Sequence, residues 1–261
     1  MYSESVRSGR LPAAAPARRP RFMDAVAGEW IKLRSHRGAL VALVMGVALT
    51  IGLGARSSFQ NAGSVRHGYR IVEDPTMITQ FGIKFGLLAF TVAGVLVSTV
   101  EYTSGTIRPS LMAVPSRNRL FASKAVAFAA VALVAGTLAS VTAFFIGAGF
   151  LDGAGLSVSW QEPGMARAAL AGGPYLALCG LLGMGLGVFL RSPVAALGVA
   201  FALFVASIAL GSVGSTVMPF DAGLAMTHAH SATALSGGAT LGAWTAGALA
   251  LGWVFLRRRD V

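Results

Sequence analysis

Six apolar stretches, each near the roughly 20 residues that carry a helix across about 30 Å of hydrocarbon, constrain this chain more than any other feature. They run over 38–55, 77–100, 124–151, 167–190, 192–219 and 239–256. Only 12% of the residues are charged while 55% are hydrophobic, against a charged share of about 25% in ordinary soluble domains. The expected fold is therefore all-α: a polytopic membrane protein with an N-terminal amphipathic interfacial helix and six transmembrane helices, surrounded by the lipid bilayer. A net charge of +11 invites a nucleic-acid reading. The basic residues, however, cluster between the apolar spans and form no folded basic face, which argues against nucleic acid as a partner. Cys179 is the single cysteine and sits in an apolar run; it forms no intrachain disulfide and reads as a small core hydrophobe.

Before the first span, residues 1–21 are rich in Ser, Ala, Pro and Arg and bury too little to offset chain entropy, so a disordered basic cytoplasmic tail is expected. Asp24 and Glu29 interrupt the approach to the first apolar run, which makes a poor secretory signal, and no cleavage is expected. Over 22–37, helical spacing gathers Phe22, Met23, Val26, Trp30 and Leu33 in one arc, with Asp24, Lys32, Ser35 and His36 elsewhere. That pattern predicts a helix lying in the headgroup region. Residues 38–261 then form the six-span domain.

Lys and Arg set the orientation. With the N-terminus inside, sixteen of them lie on the inner side, and Arg56, Arg66, Arg70 and Arg167 lie on the outer side. Both termini and the 101–124 loop are thus expected in the cytoplasm. Between the last two spans, 221–238 carries His228 and His230 and reads as a re-entrant or interfacial segment at the outer face. Pairs such as Gly82 and Gly86, Gly183 and Gly187, and Gly238 and Gly242 let helices approach closely, by default within one subunit.

The 101–124 loop is the sizeable basic one. Gly105 can end a helix arriving from residue 100, and Thr106 can cap the next. Pro109 then falls in a first turn, and Pro115 biases Val114 away from helix. A helix of about two turns over 107–113 is expected, with Ser116 capping the following long helix and Arg117, Arg119 and Lys124 on its first turns.

The run E-Y-T-S-G-T-I-R-P-S-L-M-A-V-P-S-R-N-R, from Glu101 to Arg119, with Lys124 beyond it, resembles the cytoplasmic loop of type-2 ATP-binding-cassette (ABC) transporter permeases. The run A-G-E-W-I-K-L-R-S-H-R over 27–37 is similar to the opening of the same family. Pro109 departs from it, standing where a helix former is usual. The resemblance implies the membrane subunit of a bacterial inner-membrane exporter, paired with a second permease half in a homo- or heterodimer. It further implies a separate ABC ATPase subunit docked on a coupling helix. The residues so implicated are Glu101, Gly105, Thr106, Ile107, Arg108, Leu111, Met112, Pro115 and Arg117. Leu111, Met112 and Val114 would fill a groove on the ATPase, and Arg108 and Arg117 would lie at its rim.

Little catalytic chemistry is legible. Lys32, Lys84 and Lys124 follow Ile31, Ile83 and Ser123, so no Gly-Lys-Ser/Thr phosphate loop exists and ATP hydrolysis is assigned to another polypeptide. His-Glu-x-x-His and Gly-x-Ser-x-Gly are absent, and the chain reads as no enzyme. No metal or cofactor is expected, since His228 and His230 lack further ligands nearby except Asp221. Asp152, Glu162 and Asp221 fall at span ends or in outer loops, which leaves an ion-coupled carrier without a midplane carboxylate. Lys84 stands inside a span, about seven residues from its outer start, and either snorkels to the headgroups or lines a translocation path. Glu101 ends a helix, where a negative charge opposes the dipole, so a partner is expected in Arg108, Arg117 or another basic residue of the loop. The function expected is thus a permease subunit. The alternatives are a non-transporting membrane scaffold or sensor and, less favoured, an ion-coupled carrier.

Overall fold

The computed structural model describes residues 21–69, 74–103, 116–156 and 158–258. The described residues are all-helical: α1 Phe22–Ser35, α2 Arg37–Arg66, α3 Pro75–Thr79, α4 Ile83–Thr103, α5 Arg117–Asp152, α6 Met165–Leu190, α7 Pro193–Ala209, α8 Gly211–Val217, α9 Pro219–Leu224, a 3-10 turn Ala225–Thr227, and α10 Ala234–Arg258. The expected 107–113 helix lies outside the described residues.

Among the described residues five helices are long and apolar enough to cross a membrane: α2, α4, α5, α6 and α10. The 192–219 stretch is not a single rod. It gives the 17-residue α7, about 25 Å long and short of the hydrocarbon thickness. Gly211, at φ +50°, then breaks the path, and α8 and α9 follow as separate pieces. Two glycines and two serines within Gly211–Val217 weaken helix continuity there, although the stretch is apolar on average.

α6 is the central rod. Of its most apolar window 67% is buried, against 22% for α10, and it packs on α4, α5 and α10. Small residues permit this. A Cβ at Gly94 of α4 would run into the carbonyl oxygen of Gly180 on α6, and one at Gly183 into that of Thr91. Gly82 and Gly86 meet Thr50 of α2 in the same manner. These two predicted glycine pairs serve packing within the chain, whereas Gly242 has nothing within 4 Å. Around the contacts Phe90, Phe128, Tyr175, Leu176 and Leu182 form a fully buried core, with Cys179 inside it.

Both ends of the described chain sit at one end of the bundle. α1 lays Ala25, Glu29 and Leu33 inward against α5. Phe22, Met23, Trp30 and Ile31 face out. Of the predicted apolar arc, Leu33 alone turns fully into the protein. Arg117 donates from Nη1 to the carbonyls of Leu256 (3.0 Å) and Arg257 (3.3 Å), so a cation from the start of α5 caps the end of α10. Trp253 Nε1–H donates to Asn118 Oδ1 at 3.1 Å across the same junction.

At the far end Arg66 donates to Gly153 O (3.1 Å), and Arg167 donates to Met226, His228 and Ala229 carbonyls at 3.3, 2.9 and 3.0 Å. From that rim the chain dips inward. Tyr175 Oη donates to Phe220 O (3.1 Å), and Trp244 Nε1 donates to Val217 O (3.0 Å). Tyr175 lies ten residues into α6, so α9 sits about 15 Å along that rod from its Met165 end.

Candidate functional site

Two groups of charged residues stand out, one at each end of the bundle. At the end shared by the termini, the periodicity of α1 puts Glu29 on its buried stripe and Lys32 at the stripe's edge. Glu101 stands in the last turn of α4. Lys124 lies two turns into α5, because that helix begins at Arg117, as the Ser116 cap predicted, ahead of the apolar span that starts at 124. Ser116 is its N-cap, without a side-chain capping bond.

The four meet. Lys32 Nζ is 2.7 Å from Glu29 Oε1 and 2.8 Å from Glu101 Oε1, while Lys124 Nζ is 2.8 Å from Glu29 Oε2 and 3.2 Å from Glu101 Oε1. Two carboxylates and two ammonium groups give a neutral quartet. The side chains of Glu29, Glu101 and Lys124 are only 5%, 6% and 9% exposed, but that of Lys32 is 47% exposed. Partial burial works to lower the Lys32 pKa, yet its hydrogen bonds to Glu101 and Glu29 outweigh that and hold it above the usual lysine value. Such a cluster has little net worth compared with a well-packed apolar one, but removing a single partner leaves a buried charge uncompensated. Geometrically it ties α1, α4 and α5 together beside the junctions that lead into 104–115.

Glu101 thus has the cation its position required, in Lys124 of the loop and also in Lys32 of α1. The second was not foreseen. A hint lay in the stripe Ala25, Glu29, Leu33, where a carboxylate interrupts a buried helical face. Arg117 is directed to the end of α10. Gly105, Thr106, Ile107, Arg108, Leu111, Met112 and Pro115 lie outside the described residues. A further tie comes from Arg191, which ends α6 at φ +53° and places its guanidinium carbon 5.4 Å from the Tyr102 ring centre.

The far end holds a cavity of about 480 Å³ between α4, α6, α7 and α9, with Phe81, Phe85, Phe204 and Ile208 among its walls and Lys84 and Asp221 as its charges. α4 starts only at Ile83, after a turn at Phe81–Gly82, so Lys84 occupies its first turn rather than a position seven residues inside. Asp221 occupies the first turn of α9. Among the described residues neither side chain makes an ion pair or hydrogen bond.

Nearby, Asp74 Oδ1 accepts from Thr76 N (2.8 Å) and Thr76 Oγ1 (2.6 Å), and Oδ2 accepts from His230 N (3.0 Å) and faces His230 Nδ1 at 3.2 Å. Burial works to raise the Asp74 pKa, but the bonds from Thr76 and His230 prevail and hold it below the usual value. His228 is held below the ordinary histidine value by burial, with Lys84 adding to the effect and Asp74 opposing it. Among the described residues no three His, Cys, Asp or Glu side chains gather as a metal site would require.

Compared with protein-family models, curated proteins and solved structures, the chain has no match.

Proposed function

We propose that this chain is the membrane-spanning permease subunit of an ABC exporter, coupled through 101–124 to a separate ATPase subunit. Two things support the reading: the resemblance of 101–124 and 27–37 to type-2 ABC permeases, and the quartet that joins those same regions. The quartet is the observation that carries it. Glu29 and Lys32 belong to the family-like N-terminal run, while Glu101 and Lys124 flank the family-like loop. A push on 104–115 would therefore act on α4, α5 and α1 as one body, because moving any of them alone would separate buried charges.

In this reading the termini and the loop are cytoplasmic in the bacterial inner membrane. α1 lies in the interface with Phe22, Met23, Trp30 and Ile31 toward the headgroups. α7, continued by α8, supplies the sixth crossing. A second permease half completes the path.

Cysteine at position 111 or 112 tests this in membranes of the native cell. Crosslinking should capture a nucleotide-hydrolysing subunit, whose ATPase rate in proteoliposomes should change when the permease is present. Capture of a partner without ATPase activity would favour a scaffold or sensor instead. Labelling of 105–118 from the external face would end the permease reading.

A further inference from the structure

Lys84 and Asp221 share one cavity and touch no other charge among the described residues, which is an unusual condition for two ions in an apolar setting. Each would be costly there alone. Lys84 has a second reason to seek an anion: it sits in the first turn of the 21-residue α4, where the helix dipole disfavours a cation. The two do not satisfy one another, since no contact within 4 Å joins them. Asp221 is kept on its own side because Tyr175 Oη holds the carbonyl of the preceding residue, Phe220, at 3.1 Å. The remaining walls are apolar, and they open outward: Phe81 and Phe85 are about 40% exposed and Ile208 is 63% exposed. A volume of about 480 Å³ falls within the range of about 300–1,000 Å³ for small-molecule sites.

We propose that this cavity binds the headgroup of a zwitterionic lipid with a primary ammonium, its phosphate on Lys84, its ammonium on Asp221 and an acyl chain along Phe81, Phe85 and Ile208. An occupant with both charges bridges groups that lie more than 4 Å apart and leaves the site neutral. The primary ammonium matters because it donates charge-assisted hydrogen bonds to a carboxylate, which a quaternary amine cannot do. The apolar walls favour a lipid from the bilayer over the free headgroup. The inference needs only a bilayer around the chain. A failed ATPase experiment leaves it standing, and a failed lipid experiment leaves the permease reading standing.

Native mass spectrometry of the purified full chain, titrated with phosphatidylethanolamine, phosphatidylglycerol and phosphatidylcholine, reads the site directly. The expected result is about tenfold tighter binding of phosphatidylethanolamine than of either other lipid, the effect of one charge-assisted hydrogen-bonded contact. Asp221→Asn should bring phosphatidylethanolamine down to the level of phosphatidylglycerol without weakening the latter. Lys84→Gln should weaken both. Free phosphoethanolamine should displace no lipid at equal concentration; displacement would make the soluble headgroup the ligand and overturn the lipid assignment. Equal binding of all three lipids by the unaltered protein would mean annular lipid only and would overturn the proposal, whatever the variants do.

Discussion

The two ends of the bundle treat lysine in opposite ways. Lys124 is almost fully buried and lies against two carboxylates, whereas Lys84 faces a cavity and is exposed. The difference lies in which helices arrive. At the quartet, α1 brings Glu29 and α4 brings Glu101 to the second turn of α5, so three helices converge on one cation. At the cavity, α7 breaks near Gly211 and α9 enters short, leaving space where a further packed helix would have closed over the charge. Charges at the first end join helices, and charges at the second face an opening.

The sharpest way to break this comparison is to make the same change at both lysines. Lys124→Met leaves Glu29 and Glu101, among the described residues, with Lys32 as their remaining cation and should destabilise the protein by about 3–5 kcal/mol, seen as a lower Tm in detergent. Lys84→Met separates no ion pair and removes an unpaired charge from an apolar setting, so it should leave the protein at least as stable as the parent. Equal losses at the two sites would show that the ends do not differ as described.

Glu101→Gln is the next largest. It keeps the shape and one hydrogen-bonding face but removes a charge held at 2.8 and 3.2 Å by two ammonium groups. A loss of about 1.5–3 kcal/mol is expected, the range for hydrogen bonds to charged groups. On the permease reading ATPase stimulation also falls by more than the stability loss explains. That excess is measured in proteoliposomes at a temperature where the variant remains folded.

How much of this was legible follows from the kind of interaction involved. The long helices could be read because lipid-spanning length and apolarity are local properties of the chain. The break in 192–219 was also local, in Gly211 and its neighbours, but averaged hydropathy concealed it. The quartet depends on residues 69 positions apart, Lys32 and Glu101, and the Arg117 cap on residues 139 apart. A single sequence states that Glu101 needs a cation without stating which helix will bring it. The cavity was still harder to foresee, since it arises from the depth at which α9 stops. Lys84 could be singled out as an intramembrane charge, but Asp221 read as an outer-loop residue.

A smaller effect tests whether exposure within the quartet matters as argued. Lys32 bonds both carboxylates, yet nearly half its side chain meets solvent. Lys32→Met should cost about 1 kcal/mol or less, in the range of exposed ion pairs. A double-mutant cycle with Glu29→Gln should give a coupling well below that of Lys124 with Glu29. Reversal of this order would mean that α1 is held by its solvent-facing cation and that the buried pair contributes less.

The weakest expected effect lies at Asp74, which stands at the cavity end but is fully engaged, unlike Asp221. Its folded pKa is lowered below the usual 3.8 by Thr76 and His230. The sign follows from linkage: a carboxyl whose folded pKa is depressed binds protons more readily when unfolded. The stability it contributes is therefore complete above the unfolded value and is lost as pH falls through the folded one. Partial exposure keeps the contribution small. Melting curves of the parent and Asp74→Asn should run parallel above about pH 5 and converge on acidification below about pH 4, near the carboxylate range. His230→Gln should remove only part of the convergence, because the backbone N–H of residue 230 and both Thr76 donors remain. If the variant showed no acid-dependent difference from the parent, the contacts of Asp74 would be geometric only, and the cavity end would hold no charge that stabilises the fold.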